Sequence, residues 1–68
     1  MRLVESVGSS TRSWSAAVTD AVRNAEDAPA AIAVEVFRLW ADLDARQRIR
    51  RYRAAVTVAY RQELAPPG

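Results

Sequence analysis

Among its 68 residues the chain has no cysteine, no histidine and no lysine; all ten of its basic residues are arginine. Without cysteine there is no disulfide, and without cysteine or histidine there is no ordinary structural zinc site, so the two usual staples of a very small domain are missing. The same absences remove the side chains that most often act as nucleophile or general base at neutral pH. An enzyme is not expected. Glycine occurs only at Gly8 and Gly68, which leaves no glycine-rich loop to cradle phosphates. No apolar run is long enough for a membrane span, and Arg2 and Glu5 interrupt the N-terminal stretch that a signal peptide would need. A cytoplasmic protein without a membrane partner is the expectation, and the lack of cysteine fits that compartment.

What is present points to association. Half the residues are apolar, yet a domain of this length buries only about 60% of the surface its unfolded chain exposes. Oligomerisation is the remaining route to a sufficient core. Net charge is +2, which gives no reason by itself to expect nucleic acid. Arg46, Arg48, Arg50, Arg51 and Arg53 form a local basic run, read first as a solvated or salt-bridged segment.

Residues 2–7 are β-permissive, and Gly8-Ser9-Ser10-Thr11 reads as a turn followed by helix N-cap candidates. Trp14, Ala17, Val18, Ala21, Val22 and Ala25 then recur at helical spacing as one apolar stripe, with Arg12, Ser15, Thr19, Arg23 and Glu26 opposite. Asp27-Ala28-Pro29 is expected to end this helix, because proline disfavours helical geometry in the residue before it. On that stripe Trp14 reads as a core anchor rather than a ligand-stacking ring.

The second half admits two readings. Ile32, Val36, Leu39, Trp40 and Leu43, then Ile49, Tyr52, Val56 and Tyr60, fit helices, which would give a three-helix bundle. The alternation of Ile32, Val34 and Val36, and of Tyr52, Ala54, Val56, Val58 and Tyr60, fits strands joined across Asp42–Arg46. The other side of the first of these strands, Ala33, Phe37, Leu39 and Ala41, is also apolar, so a sheet would cover the helix with one face and seek partner subunits with the other. Glu63–Gly68 is proline-rich and short, with residues 64–68 expected to form a flexible tail. Two acidic pairs, Glu26-Asp27 and Asp42 with Asp44, are candidate Ca²⁺ ligands only if symmetry assembles copies, since calcium takes roughly 6–8 oxygens.

The joints between these segments resemble the dodecin family over nearly the whole chain. The carriers are Val7-Gly8-Ser9-Ser10, where the family has Gly-Thr-Ser, then Ser13-Trp14 opening the helix, Asn24-Ala25-Glu26-Asp27 closing it, and Tyr52–Tyr60 as a last strand. The resemblance implies an α+β fold of order β-α-β-β, with a three-stranded antiparallel sheet wrapped around one helix. It further implies a single domain over residues 1–63 and twelve copies forming a hollow shell. It also implies a non-enzymatic protein that binds or stores a small ligand or ion, with flavin as the family's best-known cofactor. The family's flavin-stacking tryptophan falls on Val34 here, or on Ala33 or Glu35 if the register shifts by one, and its flavin-contacting glutamine falls on Arg53. None of the three can stack on a flavin as an indole does.

The serine-tryptophan helix start and Ile32-Ala33-Val34 look closer to the branch that lacks this tryptophan, which includes calcium dodecins. Trp40 lies six residues beyond Val34, about 20 Å along a strand, and with Trp14 and Tyr52 reads as core or subunit-interface packing. Two alternatives stand beside the flavin-free shell. One is a flavin-binding dodecin using Trp40 or Tyr52; the other is a small helical module for nucleic acid or protein.

Overall fold

A computed structural model describes residues 2–61. Its elements are β1 (Arg2–Ser10), α1 (Trp14–Asn24), a 3₁₀ turn (Ala28–Ala30), β2 (Ala31–Leu43) and β3 (Ile49–Tyr60). The strands form one antiparallel sheet in the order β1-β3-β2, with α1 packed on one face. The fold is the β-α-β-β arrangement expected from the resemblance, and the second half is strand, not helix. The tail, residues 64–68, lies outside the described residues.

The strand β1 runs through Ser10, past the expected turn, and the chain reverses only after it. Ser13 then caps α1, its Oγ accepting the Ala16 N–H at 3.0 Å, which satisfies one of the orphan donors of the first turn. The helix stops at Asn24, earlier than Pro29 required. Asp27 turns the chain in the left-handed region at φ 57°, and Pro29 sits harmlessly inside the 3₁₀ turn that follows.

Gly8 is a strand glycine with a packing role, not a turn glycine. A β-carbon built on it would stand 2.5 Å from the Ala17 carbonyl oxygen and 2.6 Å from Ala21 Cα, so α1 rests backbone-on-backbone against β1. Ala17, Ala21 and Ala25 supply the matching small surface, and with Ala54, Val56, Val58 and Tyr60 they form the buried core. Polar clasps hold the same contact. Ser6 Oγ donates to the Ala21 carbonyl at 2.7 Å, the Ser9 N–H donates to Asp20 Oδ2 at 2.9 Å, and Asn24 Nδ2 donates to the Val7 carbonyl at 3.0 Å. The Tyr60 hydroxyl donates to the Glu26 carbonyl beyond the helix end.

Because α1 lies over β1 and β3, it leaves β2 almost uncovered. This corrects the expectation that one face of the second strand would cover the helix. Ile32, Val34, Val36, Phe37, Leu39 and Leu43 all remain exposed, Phe37 at 54%. Trp14 is also corrected: at 38% exposed it sits on the rim of the core, its ring edge-on to Tyr52 at 4.8 Å between centroids.

Gly8→Ala tests the close approach. The overpacked variant is expected to lose about 1–3 kcal/mol in urea-induced unfolding, whereas unchanged stability would mean that the helix does not bear on this glycine.

Candidate functional site

In an antiparallel sheet, directly paired residues share a face, so register decides which positions can meet. On β3, Ala54, Val56, Val58 and Tyr60 lie in the core under α1, which leaves Arg51, Arg53, Ala55, Thr57 and Ala59 on the opposite face. Val34 pairs with Val58 and therefore lies on the helix side; Arg53 pairs with Trp40 and with Ser9 on the other. The two positions taken from the family's flavin site do not come together within the chain. Ala33, paired with Ala59, shares the face of Arg53.

A bulge explains why counting along the strand misleads. Between Val36, opposite Val56, and Arg38, opposite Ala55, β2 carries Phe37 as an extra residue, so parity flips there. Val34 and Trp40 consequently occupy opposite faces despite their even separation. Trp40 is thus both remote from position 34 and turned away from it.

What the structure does bring together is Arg38, Trp40 and Asp42 on β2 with Arg53 on β3. Arg53 donates from Nε to Asp42 Oδ2 at 2.8 Å, and its Nη2 lies 2.7 Å from the same oxygen. The Arg38 guanidinium lies 4.7 Å from the centre of the Trp40 ring, a cation–π contact. Asp42 was expected in the hairpin connection but is a strand residue, paired with Arg51. The Arg53 hydrogen bond chiefly, against an opposing desolvation and with the positive charges of Arg53, Arg51 and Arg50 adding to it, holds the Asp42 carboxyl below the ordinary value of 3.8. The same hydrogen bond raises Arg53. Arg38 was not singled out in the sequence, although its spacing from Trp40 and Asp42, two and four residues, is the signature of one strand face.

Asp44 lies in the hairpin loop as expected, and its role there is local. Its Oδ1 accepts the N–H groups of Arg46 at 2.8 Å and Arg48 at 3.1 Å, folding a loop in which Gln47 takes φ 67°. Asp42 and Asp44 are therefore occupied by an arginine and by the loop backbone, and this chemistry does not fit a calcium site formed by one chain. Among the described residues no group of three or more His, Cys, Asp or Glu side chains converges. The residues at 33–35 do not fit a flavin ring either: alanine, valine and glutamate present no aromatic face. A polar groove elsewhere, lined by Ser9, Ser10, Arg12, Thr19, Asp20 and Arg23, includes none of the candidate ligand or metal residues.

These features define a class: a small α+β subunit whose sheet leaves an apolar strand uncovered and whose polar side chains form no catalytic constellation among the described residues. A model of the dodecin family matches residues 1–63. The chain belongs to the dodecin family, and membership makes it a dodecin-like small-ligand-binding protein. Searches of curated proteins and of solved structures gave no match. No helix among the described residues is long and apolar enough to cross a membrane.

The ion pair has a signed pH consequence. A carboxyl depressed in the folded state contributes stability above its unfolded value, and that contribution is lost as pH falls below 3.8 through the depressed value. Comparing thermal midpoints of the native protein and Asp42→Asn from pH 6 to pH 2 is expected to show the native advantage vanish over that acid range. An advantage independent of pH would mean that the carboxylate charge plays no part.

Proposed function

We propose that this chain is the subunit of a hollow homododecamer that binds or sequesters a small ligand or ion without stacking a flavin on a second-strand tryptophan. The exposed apolar length of β2 carries this reading. Six large apolar side chains on one edge strand stand open to water in the isolated chain, an arrangement that calls for a partner surface. A chain with no disulfide to stabilise it and a core built largely of alanine and valine gains most from closing that surface against its own copies. Trp14 and Tyr52, both partly exposed, are the aromatic anchors such interfaces favour. Residues 1–63 act as one domain under this reading, and the cytoplasm is its setting.

The flavin-free part of the proposal is supported by the residues at 33–35, none of which is aromatic, and by the resemblance to the branch lacking the flavin tryptophan. The calcium activity of some of that branch finds no support in Asp42 and Asp44. The bound species is therefore left to its chemistry at the assembled surface rather than to these two carboxylates.

Size-exclusion chromatography with light scattering is expected to report twelve copies of the 7.5 kDa chain, and Phe37→Asp, which places a charge in the uncovered strand, is expected to shift the protein to smaller species. A monomeric native protein would contradict the proposal. Riboflavin fluorescence is expected to be unquenched by the native protein. Restoring an indole by Ala33→Trp, on the face of Arg53, is expected to produce quenching, and Val34→Trp, on the helix side, is not; quenching by the native protein would favour a flavin site built from Trp40 or Tyr52.

A further inference from the structure

Charge is unevenly distributed along the chain. Residues 38–53 hold six arginines (Arg38, Arg46, Arg48, Arg50, Arg51 and Arg53) against Asp42 and Asp44, a formal +4, while the other four arginines stand against six carboxylates, a formal −2. The two aspartates of the segment are both engaged. Asp44 binds the backbone of its own loop, and Asp42 binds Arg53 through one oxygen. Among the described residues Arg46, Arg48, Arg50 and Arg51 form no ion pair, and all four are exposed.

Part of this charge lies on one surface. Trp40 pairs with Arg53 and Asp42 with Arg51, so Arg38, Arg51 and Arg53 share the face of the sheet turned away from α1, with Asp42 among them. Neighbouring strands stand about 4.8 Å apart and alternate residues about 6.6 Å apart along a strand, so three guanidiniums span more than a single phosphate can reach. The Arg38 guanidinium lies over the Trp40 ring at 4.7 Å and, among the described residues, forms no ion pair, so its N–H donors remain open to a ligand. A guanidinium edge is the donor pair that matches a phosphate's oxygens bidentately.

We infer that the face formed by Arg38, Trp40, Arg51 and Arg53 is a binding site for a chain of two or more phosphates, in which Asp42 is the resident counter-charge that the ligand displaces from Arg53. Arg53 is also the position on which the family's flavin-contacting glutamine falls, whereas Arg38, Trp40 and Arg51 lie apart from residues 33–35, and the inference does not depend on the flavin-free reading. Asp42 excludes weakly charged anions, because a ligand must outcompete a carboxylate already held by two guanidinium nitrogens. A polyphosphate carries enough charge to do so and enough length to bridge β2 and β3. Ligands of this chemistry are inorganic polyphosphate and nucleoside triphosphates; the second would add its base at the Trp40 ring.

Isothermal titration of the intact assembly with inorganic tripolyphosphate, orthophosphate and a nucleoside triphosphate tests the inference, with the oligomeric mass read by light scattering in the same samples. Tripolyphosphate is expected to bind about tenfold or more tightly than orthophosphate, with an affinity that falls steeply with salt. The nucleoside triphosphate should match tripolyphosphate, or exceed it if the base stacks. Arg53→Gln is expected to weaken tripolyphosphate binding and Asp42→Asn to strengthen it. Opposite signs separate a ligand site from a structural ion pair, whose loss would affect both variants alike. Absence of binding by both phosphate chains, or binding that neither variant alters, would overturn the inference. Either result is read independently of the subunit count.

Discussion

The contact between Gly8 and the backbone of Ala17 and Ala21 sets the position of everything else. With no side chain between them, α1 sinks onto β1 and the adjoining face of β3, and Ser6, Ser9, Asp20 and Asn24 pin it there. A helix of eleven residues placed over two strands cannot also cover a third. The uncovered β2, thirteen residues long and apolar on much of its length, is thus a direct consequence of where a glycine lies. Local packing inside the subunit and the need for neighbours outside it have one cause.

The same placement divides the sheet into two surfaces with different chemistry. Toward α1 the central strand is alanine, valine and tyrosine, and it makes the core. Away from α1 its first half carries Arg51 and Arg53, matched on β2 by Arg38, Trp40 and Asp42. Ionic and cation–π contacts organise that outer surface, with no polar or charged residue buried among the described residues, and they are only partly screened from water. Their value lies in orientation and selectivity more than in stability.

Much of the architecture was legible in the sequence because simple periods carried it. The stripe from Trp14 to Ala25 gave α1, and the alternation from Tyr52 to Tyr60 gave β3 once strands were preferred to helices by family resemblance. Three features were not legible. Gly8 reads as punctuation because a glycine beside serines favours turns, and only the approach of Ala17 and Ala21 shows it to be a packing residue. Pro29 reads as a helix stop, yet α1 had ended at Asn24, with Ala25 as its extended C-cap. The bulge at Phe37 has no signature in residue type, so the even spacing of Val34 and Trp40 on β2 reads as one strand face although the two lie on opposite faces. A one-residue irregularity reassigns faces for the rest of the strand, which is why Asp42 shares a face with Arg53, while Val34, ahead of the bulge and paired with Val58, does not.

The central claim is a flavin-free assembly closed over the uncovered strand, and a native mass spectrum of protein purified without added ligand tests it most directly. The account predicts twelve subunits with no flavin mass retained. Twelve subunits carrying a flavin would contradict the reading of residues 33–35, and a monomer would contradict the assembly itself.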